Sequence, residues 1–207
     1  MVPVRISGTE GYAEQAEALV CQYDGIPFAE VHKDVLHLIP RIPCRALDIG
    51  AGTGRDAAAL AGMGHRVVAV EPVAEFRTKA ATLHPSPRIE WLDDHLPELA
   101  QLTGQHEGFD LILLSAVWMH LDKEQRRQAM PKVASLLRET GVLVLSLRHG
   151  PVPPGRRMFD VSADETIQLA SLEGLRLELR LDNQPSSFGA KGVSWTRLAF
   201  LKTQPAS

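Results

Sequence analysis

The chain alternates between two kinds of hydrophobic spacing. Near the start Tyr12, Ala16, Leu19 and Tyr23 fall four, three and four residues apart, which is one face of a helix over 9–24, with Glu10, Glu14 and Glu17 off that face. Val31, Val35, Leu38 and Ile39 repeat the pattern beyond Pro27, and Pro40 and Pro43 end it. From Arg45 short apolar runs take over. They predict strands at 45–49, 66–71, 88–92, 109–115 and 141–147. Helices fit between them near 55–63 and 73–82, and around Ala129, Val133, Leu136 and Leu137, where Pro131 either kinks the helix or opens a second one. Phe109–Ser115 and Gly141–Leu147 are apolar on both faces, as central parallel strands are. Past Pro151-Val152-Pro153-Pro154-Gly155 the rhythm changes to a helix near 162–172, a strand from Leu175 to Leu181, a polar loop from Asn183 to Lys191 and a strand from Val193 to Leu201. The last two strands read as an antiparallel hairpin closing the sheet edge.

Alternation of strand and helix over 45–148 predicts an α/β fold with a doubly wound, mostly parallel sheet, whose ligands bind outside the carboxyl ends of the strands. Residues 1–43 are expected to form an N-terminal helical cap that covers the sheet or lids the ligand cleft, and 44–207 the ligand-binding domain.

Composition narrows the partners. With 207 residues, 44% of them hydrophobic, the chain can bury one substantial core. A net charge of −3 leaves no basic excess for sequence-independent binding to phosphates, so a nucleic-acid partner is disfavoured. The two cysteines, Cys21 and Cys44, have neither a C-x-x-C partner nor metal-ligand spacing with histidine, and are expected to be reduced and buried. Met1-Val2-Pro3-Val4-Arg5 lacks a long apolar segment with a cleavage site, and no run approaches the roughly 18 apolar residues of a membrane span. The expectation is a cytoplasmic protein, monomeric or homodimeric, that does not engage membranes.

The chemistry concentrates after the first strand, where Ala46-Leu47-Asp48-Ile49 opens into Gly50-Ala51-Gly52-Thr53-Gly54-Arg55-Asp56. Three glycines at alternating positions let the backbone turn sharply and let a ligand lie against bare main chain. Glu71 ends the second strand, where a carboxylate can accept hydrogen bonds from both hydroxyls of a ribose. Asp93 and Asp94 leave the third strand at the same rim; a carboxylate there can accept from the exocyclic amine of an adenine, or can cap the helix that follows. These sites suit a nicotinamide dinucleotide or a nucleoside such as S-adenosylmethionine. The glycines read G-x-G-x-G and not G-x-G-x-x-G, so no pyrophosphate cradle is evident.

In order and spacing over 45–148, the chain resembles the class I S-adenosylmethionine-dependent methyltransferases. The resemblance rests on Leu47-Asp48-Ile49-Gly50-Ala51-Gly52-Thr53-Gly54, Val68-Ala69-Val70-Glu71-Pro72, Trp91-Leu92-Asp93-Asp94, Phe109-Asp110-Leu111-Ile112 and Gly141-Val142-Leu143-Val144-Leu145. It implies a Rossmann-like seven-stranded sheet with a reversed last hairpin, S-adenosyl-L-methionine as cofactor and S-adenosyl-L-homocysteine as product. It also implies that Asp48, Gly50, Ala51, Gly52 and Gly54 lie at the methionine portion of the cofactor, with Arg55 or Asp56 reaching its carboxylate or amine, Glu71 and Pro72 at the ribose, and Asp93 or Asp94 at the adenine. Ser115-Ala116-Val117-Trp118-Met119-His120-Leu121 would lie beside the sulfonium.

In small-molecule members of this family that loop faces the acceptor, which makes Trp118 and His120 the candidates for catalysis and acceptor binding. An aromatic face can hold a flat or cationic group, and a histidine can take a proton near neutral pH. Alternatively Trp118 and Leu121 pack under the next helix and His120 is structural. The sequence at 115–118 lacks the Asn/Asp-Pro-Pro-aromatic signature of nucleic-acid amine methyltransferases. No metal is expected. Arg148, Arg156 and Arg157 form the one local cluster of positive charge, suited to an acceptor carboxylate or phosphate if it faces the cleft. Tyr12, Tyr23 and Trp195 could complete an aromatic pocket. The expected reaction is methyl transfer to O, N or S of a small molecule; methylation of protein or RNA through a basic groove at 148–157, a non-methylating use of S-adenosylmethionine by the same fold, and a binding subunit without catalysis are the alternatives.

Overall fold

A seven-stranded sheet in the order β3-β2-β1-β4-β5-β7-β6 organises the computed structural model, which describes residues 6, 8–102, 104, 107–187 and 189–203. Met1–Arg5, read above for a leader segment, and Phe188 of the polar loop lie outside the described residues. In chain order the elements are α1 (Ala16–Asp24), α2 (Phe28–Val31), β1 (Arg45–Ile49), α3 (Arg55–Gly62), β2 (Arg66–Val70), α4 (Ala74–Leu83) and β3 (Ile89–Leu92). There follow β4 (Phe109–Leu114), α5 (Lys123–Leu136), β5 (Leu137–His149), α6 (Ala163–Leu172), β6 (Leu175–Pro185) and β7 (Ser194–Lys202).

β1 pairs in parallel with β2 and β4, β2 with β3, and β4 with β5, so the carboxyl ends of all five point to one rim. β7 runs antiparallel between β5 and β6. The chain order reverses between β1 and β4, and a crevice opens there because the connections after these strands leave to opposite sides of the sheet.

Alternating strand residues feed two cores. Leu47, Ile49, Ile112, Leu114, Leu143 and Leu145 meet Ala129, Met130 and Val133 of α5 on one face. On the other, Ala46, Leu111, Leu113, Val142 and Val144 meet Ala57, Leu60 and Ala61 of α3.

The described part of the segment before β1 packs in two places. Phe28, Val35 and Ile39 are buried in the α3-side core, where each contributes about 1.5–3 kcal/mol of apolar burial. α1 instead packs Ala16, Leu19 and Val20 against Val73 and Phe76 at the start of α4, which carries it over the rim of the sheet.

Several element boundaries differ from the periodicity. The first helix is regular only over Ala16–Asp24, with turns before it; Cys21, on its outer face, is exposed and Cys44 is half-buried, against the burial expected of both. Val31–Ile39 is not one helix; α2 ends at Val31 and a 3-10 turn at Leu36–Leu38 follows, so the apolar spacing there reflects packing onto α3. α5 continues through Pro131, anchored at its start by a capping box in which Asp122 accepts from the Gln125 N–H and the Gln125 side chain accepts from the Asp122 N–H. β5 starts at Leu137, directly after that helix, and β6 runs on to Pro185 into the stretch read as loop.

Candidate functional site

A cavity of about 520 Å³ lies at the carboxyl rim over the β1/β4 reversal, within the roughly 300–1,000 Å³ of pockets that take small ligands. Its floor is the turn after β1. Gly50 and Gly52 have φ of +71° and +53°, conformations that L side chains rarely adopt. A Cβ on Gly50 would stand 2.5 Å from Val117 Cγ2, whereas one on Gly52 would meet no atom closer than 3.9 Å, because Gly52 faces the open cavity. The Gly50 and Ala51 N–H groups donate to the Val70 carbonyl at 2.8 and 2.9 Å and tie the turn to the end of β2. Gly54 also has positive φ but does not line the cavity; a Cβ there would press on Trp91 and Ala80 behind the turn, so its part is packing and not ligand contact.

Two carboxylates frame this floor. Glu71 accepts from the Gly52 N–H through one oxygen and from the Val73 N–H through the other, each at 2.8 Å. Burial pushes its carboxyl up to about 7, against the pull of those two N–H groups and of Arg77. Asp48 is 1% exposed, and its Oδ2 has no hydrogen-bond partner among the described residues. Burial, with Asp56 and Glu71 adding to it, raises Asp48 well above the carboxylate range. Asp56 is the opposite case: burial pushes it up, yet His32 Nε2 and Arg55 Nε, each at 2.7 Å, hold it well below. The Arg55 guanidinium also reaches the Tyr23 carbonyl, tying α3 to α1.

At the end of β3 the two aspartates exchange the expected emphasis. Asp93 is turned out of the cavity and pairs with Arg77 at 2.8 Å, so the ligand role assigned to it is withdrawn. Asp94 lines the cavity, buried, while accepting from the N–H groups of His95, Ala100 and Gln101. Capping the 3-10 turn at Ala100–Leu102 and facing the cleft are thus one arrangement. Pro72 and Ser115 also line the cavity.

The loop after β4 corrects a second expectation. Trp118 is 1% exposed, sits in the α5-side core and does not reach the cavity, so it is neither an acceptor-facing nor a catalytic group. The 3-10 turn at Trp118–His120 points Trp118 inward and its neighbours Val117, Met119 and His120 to the cleft. His120 Nδ1 lies 2.8 Å from the Arg157 carbonyl, which can only accept, so Nδ1 carries the proton. Nε2 is then the acceptor for the Tyr12 hydroxyl at 3.1 Å. Burial lowers the His120 pKa, as do Arg156 and Arg148, against the pull of the Arg157 carbonyl, and the ring is neutral. Burial raises the Tyr12 hydroxyl well above its ordinary range.

The arginines are also redistributed. Arg148 lines the cavity and donates to the Pro151 carbonyl at 2.8 Å. Arg157 does not line it; its guanidinium lies 4.0 Å from Glu10 and Asp122, so its side chain is withdrawn as an acceptor contact, although its carbonyl orients His120. Arg156 takes its place, 3.7 Å above the Tyr12 ring. Tyr23 and Trp195 line the cavity as well. His32, under Asp56, and Arg197, on the cavity wall, were missed. A charged residue among the apolar Leu198, Ala199 and Phe200 of β7 was the available signal for Arg197.

Residues 46–141 match the family described as a methyltransferase domain. The 3-2-1-4-5-7-6 order with β7 reversed is the Rossmann-like fold of the class I methyltransferases. An uncharacterized methyltransferase of Alkaliphilus oremlandii is 31% identical over 100 residues, covering 48% of this chain and 44% of that protein. The chain thus spans less than half the length of the curated relatives it matches. Among solved structures, the N-methyltransferase NodS of Bradyrhizobium japonicum in complex with S-adenosyl-L-homocysteine superposes with a TM-score of 0.68 at 19% identity, over 93% of this chain and 98% of that one. The Burkholderia thailandensis 1,6-didemethyltoxoflavin-N1-methyltransferase, with 1,6-didemethyltoxoflavin and S-adenosylhomocysteine bound, gives 0.63 at 20% identity, over 99% and 93%. At these identities the likeness is one of fold.

Class I methyltransferase domains use S-adenosylmethionine, and the residues present fit that group. The unpartnered Asp48 oxygen, buried at the glycine turn, is an acceptor in want of a donor such as an ammonium. The open face of Gly52 leaves room that a side chain would fill. Each Glu71 oxygen accepts one N–H and keeps a lone pair for a ribose hydroxyl.

Proposed function

We propose that this protein is an S-adenosylmethionine-dependent methyltransferase whose acceptor is a small molecule carrying an O, N or S nucleophile. The observation that carries this reading is the roof of the cavity: Tyr12, Gln15, Leu19 and Tyr23 of α1 and the turn before it line the same space as the glycine floor and the loop after β4. Arg148 and Arg156, which on an open surface would suit protein or RNA, face this roofed space. A pocket closed on that side favours a compact acceptor.

Asp48, Gly50, Ala51 and Gly52 would hold the methionine portion of the cofactor, braced by Arg55 and Asp56. Glu71 and Pro72 would hold the ribose, Asp94 the adenine, and Ser115 the end nearest the acceptor. The bound cofactor supplies a methyl group already activated by a positively charged sulfur. What remains for the chain is to align the acceptor, exclude water and receive a proton. The Nδ1–H of His120 is held by the Arg157 carbonyl, so its Nε2 lone pair is available; Tyr12 takes the acceptor proton as it delivers its own to Nε2. Tyr12 thereby never bears a full charge, in keeping with its raised pKa.

The test uses methyl-labelled S-adenosylmethionine with the purified protein and a cell extract separated into small-molecule, protein and RNA fractions, with Glu71→Ala as control. Label in the small-molecule fraction, absent with the control, supports the reading. Label in protein or RNA overturns it.

A further inference from the structure

Two arginines are buried among the described residues, and they differ in one respect. Arg126 has a charge partner: it donates to both oxygens of Glu165, at 2.9 and 3.1 Å, and to the Leu121 carbonyl at 2.7 Å, although its Nε has no partner among the described residues. Arg197 is 8% exposed and lines the cavity, and its side chain has no hydrogen bond or ion pair among the described residues. Asp34 and Asp56 act on it from beyond ion-pair distance, and both oxygens of Asp56 are already engaged by His32 and Arg55. A guanidinium largely withdrawn from bulk water, open only to the cavity and without a protein partner, is costly, and a chain gains nothing structural from it. The missing partner is an anion, and the cavity is where it enters.

Register says which ligand brings it. Arg197 stands opposite Ser146, and Trp195 opposite Arg148, so these four share one face at the end of the β5–β7 pair, and all line the cavity. Glu71 and Asp94, at the ends of β2 and β3, lie on the far side of β1 from them. From β1 to β7 is three strand spacings, on the order of 14 Å. A cofactor lying from β3 towards β4 leaves the β5–β7 face to the second substrate. There Arg197 offers a planar two-pronged donor, Arg148 a second positive charge, and Trp195, Tyr12 and Met158 an apolar surround.

Resting on the methyltransferase reading above, the geometry points to an acceptor that carries a carboxylate or phosphate group, received by Arg197 while Trp195 and Tyr12 flank its apolar body. Neutral acceptors of the same shape leave the guanidinium unpaired and are rejected.

The test uses the full chain. S-adenosylhomocysteine and methylthioadenosine, which lacks the amino-acid portion, are titrated first into wild type, Arg197→Met and Arg197→Lys. Benzoate, phenyl phosphate and neutral benzamide are then titrated into each protein saturated with S-adenosylhomocysteine. Met keeps the apolar stem and removes the unpaired charge, so this variant is expected to melt at or above the wild-type temperature. The expected result is that benzoate or phenyl phosphate binds the loaded wild type at least tenfold more tightly than benzamide. Arg197→Met should abolish that preference, Arg197→Lys should keep part of it, and S-adenosylhomocysteine affinity should stay within threefold throughout.

No preference for the anions in wild type, or a preference that survives in Arg197→Met, overturns the inference. So does an Arg197→Met variant that loses S-adenosylhomocysteine affinity tenfold while binding methylthioadenosine normally, which would assign Arg197 to the cofactor's own carboxylate. Failure of wild type to bind S-adenosylhomocysteine would remove the methyltransferase reading itself, and this inference with it.

Discussion

Replacing Glu71 with Gln separates the buried charge from the side chain that carries it. The folded chain holds the Glu71 proton up to about pH 7, against 4.5 for an ordinary glutamate. Folding therefore tightens proton binding at this site. The stabilisation is fully present below the unfolded value and is lost as pH rises through the folded one. Taking those two values, this one group makes the wild type about 2.5 kcal/mol less stable at pH 8 than at pH 5. Glu71→Gln has no such dependence, and the other titrating groups, common to both proteins, cancel to first order. Urea unfolding at the two pH values should show the wild-type stability, measured relative to Glu71→Gln, falling by about 2.5 kcal/mol from pH 5 to pH 8. Parallel pH curves, within about 0.5 kcal/mol, would refute the claim that burial dominates the two N–H contacts. Ribose hydroxyls donating to the carboxylate favour its charged form, so S-adenosylhomocysteine binding near pH 7 should release protons from the wild type and not from Glu71→Gln, and should weaken about 10–100-fold in the variant. Titration calorimetry in buffers of different ionisation enthalpy measures both.

Gly50→Ala and Gly52→Ala make a contrasting pair. Gly50→Ala meets Val117 as well as a strained φ and should cost about 2–5 kcal/mol of stability, whereas Gly52→Ala carries the backbone strain alone, about 1–2 kcal/mol. Gly52→Ala should still lose cofactor affinity, because its methyl projects into the cavity; a folded variant with normal S-adenosylhomocysteine binding would contradict the site. Trp118→Phe should lower stability by about 1–2 kcal/mol, since it leaves a void but removes an indole N–H that has no partner among the described residues, and should leave turnover unchanged. Once an acceptor is known, Tyr12→Phe should slow turnover at least tenfold while S-adenosylhomocysteine affinity stays within twofold. At saturating cofactor the wild-type rate should hold level as pH falls through 6.5, because the lowered His120 pKa keeps the base form available; a midpoint at or above 6.5 would exclude His120 as the receiver of the proton.

The local features of the sheet and its floor were legible in the chain itself. Two-residue alternation and double-sided apolar runs set β1, β2 and β4 to within a residue, since hydrogen bonding and burial there follow the nearest neighbours. The glycine turn and Glu71 were equally plain, because a left-handed turn after a strand and an acid after the next strand are local demands. What periodicity could not decide was direction. In Asp93-Asp94, in Trp118-Met119-His120 and in Arg156-Arg157, neighbouring residues of similar chemistry point opposite ways, and a 3-10 turn or irregular loop, having no fixed face, leaves packing to choose. Packing chose Asp94, His120 and Arg156 for the cavity and sent Asp93, Trp118 and Arg157 elsewhere. Arg197 shows the same limit at long range: the burial of its side chain, without a partner among the described residues, exists only because β7 inserts antiparallel beside β5, a pairing that joins residues about fifty positions apart and that no local pattern contains.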